Sequence, residues 1–238
     1  MKPATKFLDL ADIRMAYRES GDGPTLILLH GNSESKNLFI RYQTRYFPMF
    51  HTFALDSRAH GESESSDESL SYERMADDVL NFCDKSGISD ARVLGYSDGG
   101  ILALYLAKKA PGRFKKIIAV SPNYLLSGLT DGAIRLIGRI SGMLAFLVRI
   151  GVGLRKARMR FDLMIREVGL SAQDLRGIED DILILYAEKD IIREEHIQDM
   201  GRLIPGATVK RIGGCSHLSI MSKPETLVAI KRYLGSPD

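Results

Sequence analysis

Three residues far apart in the chain, Ser97, Asp190 and His217, have the side-chain types that nucleophilic catalysis needs. Ser97 lies in VLGYSDGG, between Gly95 and Gly99, where an apolar run gives way to a helical pattern. A serine on so tight a strand-to-helix turn sits in strained backbone, and side chains at Gly95 or Gly99 would collide with neighbouring chain. Its hydroxyl then points clear of the sheet, at a helix N-terminus that favours developing negative charge. The hydroxyl is a poor nucleophile until a base takes its proton, so a histidine is required. Five are present. His30 (in HGN) and His60 (in RAHG) precede the serine, His51 opens a strand, and His196 falls within a helical pattern. His217, in GGCSHLS, follows the last expected strand at the sheet edge where Ser97 should also emerge. An imidazole in that role needs an acceptor to fix its tautomer. Asp190 closes ILILYAEKD at the same edge; Glu188 comes two residues too early, and Asp180 and Asp181 sit at the opposite edge.

The elements that must position these residues are legible as alternating patterns. Runs at 25–31, 51–57, 91–97, 114–122, 181–190 and 207–214 read as strands, most of them too continuously apolar to be half-exposed. Between them, SYERMADDVLNFCDKSG, GGILALYLAKKAP, REEHIQDMGRLIP and KPETLVAIKRYLG carry apolar residues at helical spacing and end at Gly or Pro. Such alternation implies a mostly parallel sheet with helices on both faces. The segment KFLDLADIRMAYRESGDGP predicts an antiparallel hairpin with GDG as its turn. Residues 123–180 are too many for a plain crossover. From Gly132 to Phe161 this segment is helical in pattern and rich in Arg and Lys, with no Asp or Glu. It reads as a lid, with residues 1–122 and 181–238 as the core.

In these contexts the chain resembles the α/β-hydrolase fold superfamily over nearly its whole length. His30-Gly31-Asn32 matches the family's HG-x turn. Asp56-Ser57-Arg58-Ala59-His60-Gly61-Glu62-Ser63 matches its D-x-R-G-x-G-x-S segment with Ala59 in place of a glycine. AEKD matches the acid strand with Ala187 in a glycine position, and the order Ser97, Asp190, His217 is the family's. The resemblance implies eight strands, the second antiparallel, with the cap after strand six. It also implies an oxyanion hole made by the backbone N–H groups of Asn32 and Asp98, and it requires no metal or other cofactor. Dehalogenases and epoxide hydrolases of the family carry an aspartate where this chain has Ser97, so acyl transfer to water is the expected chemistry.

Asp98 opens a helix, where an acid helps cap the first turn. The Ser-Asp-Gly-Gly run also resembles the elbow of valacyclovir-hydrolase-like enzymes, which implies that Asp98, with Tyr96 beside it, could face the substrate and attract an amine. The basic lid reads as amphipathic cap helices with Ile134, Ile137, Leu144, Phe146 and Leu147 packed inward. Contact with an anionic membrane surface and steering of anionic acyl substrates are the other readings of its charge.

Composition narrows the function classes. The 238 residues are 45% hydrophobic and 26% charged, ordinary for a globular protein, with a net charge of +3 too small to argue for nucleic acid. Cys83 and Cys215 alone offer neither a disulfide framework nor a zinc cluster. The start MKPATKFLDLADIR lacks the apolar core of a signal peptide, so a cytoplasmic protein is expected. The leading expectation is a serine hydrolase acting on a small to medium carboxylic ester, the small-molecule substrate being its partner. An amidase, a C–C hydrolase or an aminoacyl-ester hydrolase would use the same triad, and a ligand receptor would use the same fold without turnover.

Overall fold

The computed structural model describes residues 3–65 and 69–235. One sheet organises them. In chain order its strands are β1 (Thr5–Asp9), β2 (Ile13–Ser20), β3 (Thr25–Leu29), β4 (His51–Leu55), the two-residue β5 (Glu64–Ser65), β6 (Ala91–Tyr96), β7 (Phe114–Val120), β8 (Ile182–Lys189) and β9 (Ala207–Ser216). Across the sheet the order is β1-β2-β4-β3-β6-β7-β8-β9, with β5 paired to β2. The expected eight strands are all there, and β5 is a short addition on the side of β2. β2 runs antiparallel to both its long neighbours, while β4, β3, β6, β7, β8 and β9 are mutually parallel.

The strands look continuously apolar because both faces are covered. Ile27, Leu29 and Val93 point into a core shared with α1 (Tyr72–Lys85), α2 (Asp98–Lys109) and α6 (Glu194–Leu203). Their alternates Leu26, Leu28 and Leu94 point the other way, against Phe39, Phe47 and Phe50 and the inner side of α7 (Pro224–Leu234). With a side-chain period of two, covering both faces leaves the inner positions of β3 and β6 apolar, and polar residues stand only near their amino ends, as at Thr25 and Arg92.

The opening hairpin forms, but its turn is not GDG. β1 and β2 are joined by Leu10–Asp12, closed by the Leu10 N–H to Ile13 carbonyl bond of 2.8 Å. GDG instead carries the chain from β2 to β3, which are not neighbours in the sheet. The glycines are there for close approach: a Cβ at Gly21 would lie 2.1 Å from the Phe50 carbonyl oxygen, and one at Gly23 1.9 Å from that of Met49.

Between β7, the sixth of the long strands, and β8 the described chain is helical: α3 (Asp131–Arg149), α4 (Arg155–Met164) and the short α5 (Ala172–Arg176). The helical pattern is interrupted at Ile150–Leu154, where Gly151 takes φ +90°. Ile137 and Leu144 are buried and Ile134 and Leu147 partly so, but Phe146 is 61% exposed, against the expectation that it packs inward. It lies two residues beyond Leu144, which places it on the opposite side of α3. Among the described residues no helix is long and apolar enough to cross a membrane.

Candidate active site

β3 contacts β4 on one side and β6 on the other, and the chain leaves the ends of β3 and β6 toward opposite faces. A crevice opens at such a reversal, beyond the carboxyl ends of the strands. The HGN turn follows β3, and Ser97 follows β6 in register with it, Leu29 lying beside Gly95. Ser97 has φ +53°, the strained left-handed region that a side chain avoids unless its surroundings enforce it. The enforcement comes from close packing of backbone. A Cβ at Gly95 would stand 1.9 Å from the Gly99 carbonyl oxygen, and one at Gly99 2.1 Å from that of Leu29.

The structure brings together the three residues that the sequence separates. His217 Nε2 lies 3.0 Å from Ser97 Oγ, and His217 Nδ1 lies 2.6 Å from Asp190 Oδ1. An ionised carboxylate can only accept, so the Nδ1 proton donates to Asp190 and Nε2 is left to accept from the serine hydroxyl. Asp190 is fixed at both oxygens. Oδ1 also accepts from the Ile192 N–H, and Oδ2 accepts from Ser121 Oγ at 2.6 Å and the Ala187 N–H at 3.0 Å. Burial pushes this carboxyl up; the bonds from His217, Ser121 and Ala187 together outweigh it and hold the group below the usual carboxylate range.

The other histidines are placed elsewhere. His30 accepts from the Ser57 N–H at Nε2, so its Nδ1 proton donates to the Gly31 carbonyl, 2.7 Å away. Its ring faces that of His60, whose pKa burial depresses to about 3. His196 stacks on Tyr124 and accepts its N–H, and burial brings it down to about 4. His51 pairs with Glu19. Glu188 is exposed and accepts from Arg211 and the Gly214 N–H. Cys215 is buried, with its thiol against the Ile212 carbonyl.

Neither the Asn32 nor the Asp98 backbone N–H has a hydrogen-bond partner among the described residues; Asp98 directly follows Ser97, and Asn32 follows Gly31, which packs against Ser97. Asp98 is the acid in the first turn of α2, and the side chains of Asp98 and Tyr96 both have partners within the protein. Asp98 is only 5% exposed; Oδ2 accepts from Asn32 Nδ2 at 2.9 Å and Oδ1 from the Tyr72 hydroxyl at 3.0 Å. It braces the HGN turn against α2, and burial raises its pKa above the ordinary carboxylate value. Tyr96 donates its hydroxyl to the His217 carbonyl at 2.8 Å and packs its ring under the imidazole. Its role is to seat His217, because the last residue of β6 points down into the layer that carries α7.

Two further residues were not picked out from the sequence. Ser121, one residue past β7 and at φ +51°, holds the far oxygen of Asp190; its place at a strand's carboxyl end was the available signal. Glu34 accepts the Gly31 N–H at 3.0 Å, and burial lifts its carboxyl above the usual range. A side chain at Gly31 would meet both Glu34 Oε2 and Ser97 Cβ, at 3.0 and 3.1 Å, so this acid borders the serine. Nothing in its spacing announced that.

The D-x-R segment supports the site from behind. Asp56 accepts from the Lys36 N–H, the buried Lys36 ammonium and the Glu62 N–H. Arg58 makes a two-point bond with Asp78 of α1, at 2.7 and 2.6 Å. Burial raises the Asp78 carboxyl despite this arginine. In front of Ser97 lies a cavity of about 10 Å³, bounded by Tyr72 and Asp98 on the core side and by Asn123, Met164, Arg166 and Val168 of the segment between β7 and β8. That is space for a single water.

A family model for the alpha/beta hydrolase fold matches residues 24–137. The match covers just under half of the chain, and the chain has the α/β-hydrolase fold. It is an enzyme, a hydrolase. The dihydrolipoyllysine-residue acetyltransferase component of the acetoin cleaving system of Cupriavidus necator is 28% identical over 98% of this chain and 69% of its own length. The 2-(acetamidomethylene)succinate hydrolase of Mesorhizobium japonicum is 24% identical over 96% of this chain and 94% of its own. Among solved structures, a carboxylesterase from Bacillus subtilis superposes with a TM-score of 0.78 at 17% identity, covering 98% of this chain and 92% of that one. At that identity the likeness is one of fold.

Proposed function

We propose that this α/β-hydrolase cleaves a small to medium carboxylic ester through an acyl-enzyme formed on Ser97. The observation that carries the reading is the continuous chain from Ser97 Oγ through His217 to Asp190, at 3.0 and 2.6 Å. Ser97 Oγ attacks the acyl carbon as His217 Nε2 takes its proton; the imidazolium is held by Asp190 and returns the proton to the departing alkoxide. Water then repeats the sequence on the acyl-serine, releasing the acid and restoring the hydroxyl. The N–H groups of Asn32 and Asp98 receive the oxyanion, each worth about 3 kcal/mol of barrier. Ser97 in the nucleophile position supports acyl transfer over chemistry that runs through an aspartyl ester.

Residues 123–180 form the cap in this reading, with 1–122 and 181–238 as the core; the outermost residues, 1–2 and 236–238, lie outside those described. The cavity of about 10 Å³ is too small for an ester, so a substrate held on that side of Ser97 would displace Met164, Arg166 and Val168. Amine recognition by Asp98 has little support, because both its oxygens already accept hydrogen bonds at the cavity wall. An ester is favoured over an amide or C–C bond by simplicity of leaving group alone, and each substrate class can be assayed separately.

The test is turnover of p-nitrophenyl acetate and butyrate, with labelling by a fluorophosphonate. The protein should hydrolyse at least one ester and take up the label, and Ser97→Ala should lose both while folding normally. Undiminished turnover in Ser97→Ala would remove the serine mechanism. A labelled, folded protein inert toward esters, amides and vinylogous ketones would favour a receptor on this fold.

A further inference from the structure

The mechanism makes no use of the outer face of α3. Leu136, Met143 and Ile150, the last capping the helix's carboxyl end, recur every seven residues to form one stripe two turns apart, and Phe146 adjoins it. All four stand in solvent, at 60%, 55%, 60% and 61% exposure in the order Leu136, Met143, Ile150, Phe146. Large apolar side chains grouped this way on one helix mark an interaction surface.

Charge indicates what it meets. Arg135, Arg139 and Arg149 lie along the same face, are exposed, and make no ion pair among the described residues. Arg155 and Lys156 begin α4 just beyond the turn, and between residues 132 and 161 the chain has no acid. The two bounding acids are occupied: Asp131 pairs with Arg193 at 2.5 Å, while Asp162 pairs with Arg158 and accepts from Ser141. A shallow depression of about 590 Å³ between α3 and α4 sets Phe146 and Val148 beside the guanidinium groups of Arg149 and Arg158. A second copy of the chain docking through this stripe would bring arginine against arginine, with Arg139 at the middle of the seam in either direction. An anionic lipid surface satisfies both parts of the face, its headgroups taking the arginines and its acyl boundary the apolar stripe.

We propose that the outer face of α3 docks the protein on the surface of an anionic phospholipid bilayer, lying in the interface without crossing it. The helix that docks belongs to the segment that closes over Ser97, through Met164, Arg166 and Val168. Docking therefore sets that segment's outer side against lipid and leaves its inner side toward the cavity. The proposal does not depend on which bond the enzyme cleaves.

The experiment is co-sedimentation of the full chain with vesicles of phosphatidylcholine alone or with 30 mole per cent phosphatidylglycerol (about the surface charge of an anionic leaflet), at low and at high salt. Two variants at exposed positions are compared with the parent: Arg135→Ser/Arg139→Ser/Arg149→Ser, and Phe146→Ser/Ile150→Ser. Circular dichroism confirms that each folds, and vesicle binding is read independently of turnover. The parent should bind the anionic vesicles, fail to bind the neutral ones, and be released by salt. Each arginine removed should weaken binding about fivefold, and the apolar variant should weaken it at unchanged charge. Absence of binding to anionic vesicles at low salt would overturn the proposal, as would equal binding to neutral vesicles or variants that bind like the parent. A dimer in light scattering that both variants dissolve would assign the face to self-association instead.

Discussion

Asp190 accepts four hydrogen bonds, from His217, Ser121, Ala187 and Ile192, and is thereby ionised in a buried place. Asp190→Asn keeps the shape but removes the charge and offers His217 Nδ1 an N–H; kcat on p-nitrophenyl butyrate should fall about ten-thousandfold. Glu34 acts at one remove, by holding the Gly31 N–H and with it the turn that presents the Asn32 N–H. Glu34→Gln retains an acceptor and should keep most activity. Glu34→Ala leaves a buried N–H unpaired and should lower kcat about tenfold, with KM little changed. Two buried acids near Ser97 also act on stability with opposite sign. Asp190 lies below its ordinary value, so its stabilisation is present above that value and is lost as pH falls through the folded one. Asp98 is raised, so its stabilisation is complete below the ordinary carboxylate range and is lost as pH rises through the folded pKa. Urea midpoints of parent and Asp98→Asn at pH 4 and pH 8 test the second sign: the variant should gain on its parent at pH 8 relative to pH 4.

At the scale of elements, the strand–turn–helix unit from β6 to α2 tolerates no side chain at its glycines. Gly95→Ala and Gly99→Ala drive a Cβ into backbone oxygens at 1.9 and 2.1 Å, and backbone cannot swing aside as a side chain can. Each should cost more than about 3 kcal/mol in a denaturation curve or prevent folding. The turn after β4 is different. Ala59 holds φ +60° where a glycine would be unstrained, so Ala59→Gly should raise stability by about 0.5–1 kcal/mol. Gly61, at φ +51°, has the Asp56 carboxylate where a Cβ would go, and there the glycine is indispensable. Both turns lie at carboxyl ends of parallel strands, where the chain must reverse in few residues and the site must be built from what results.

Across the whole molecule, the small cavity beside Ser97 lies between the sheet and the helical segment that follows β7. β6 and β7 are buried on both faces, whereas α3 and α4 rest on the core by one side and are joined through two glycines, Gly151 and Gly153. Local opening draws on regions with few buried contacts. Hydrogen exchange should therefore be fast in 150–166 and slow in β6 and β7, and a phosphonate on Ser97 should change protection in the helical segment more than in the strands. Uniform exchange across both, unaffected by the label, would mean that the substrate enters by another route.

The alternation of apolar strands with helical patterns, the glycines around Ser97 and the order of serine, acid and histidine were all readable from the sequence, because each depends on local sterics or on a short periodicity. So was the insertion between the sixth and seventh long strands. The turn of the first hairpin was not: GDG has turn composition, but its glycines answer to Met49 and Phe50, which pack there only once the sheet has formed. Nor could the sequence assign the side chains of Asp98 and Tyr96, both used to brace the site, or find Glu34 and Ser121 beside it. Those roles rest on contacts between residues distant in the chain, such as Asp98 with Asn32 and Tyr72, and on which side of α3 faces the core. Such contacts are set by how whole layers settle against one another, and no spacing along the chain records that.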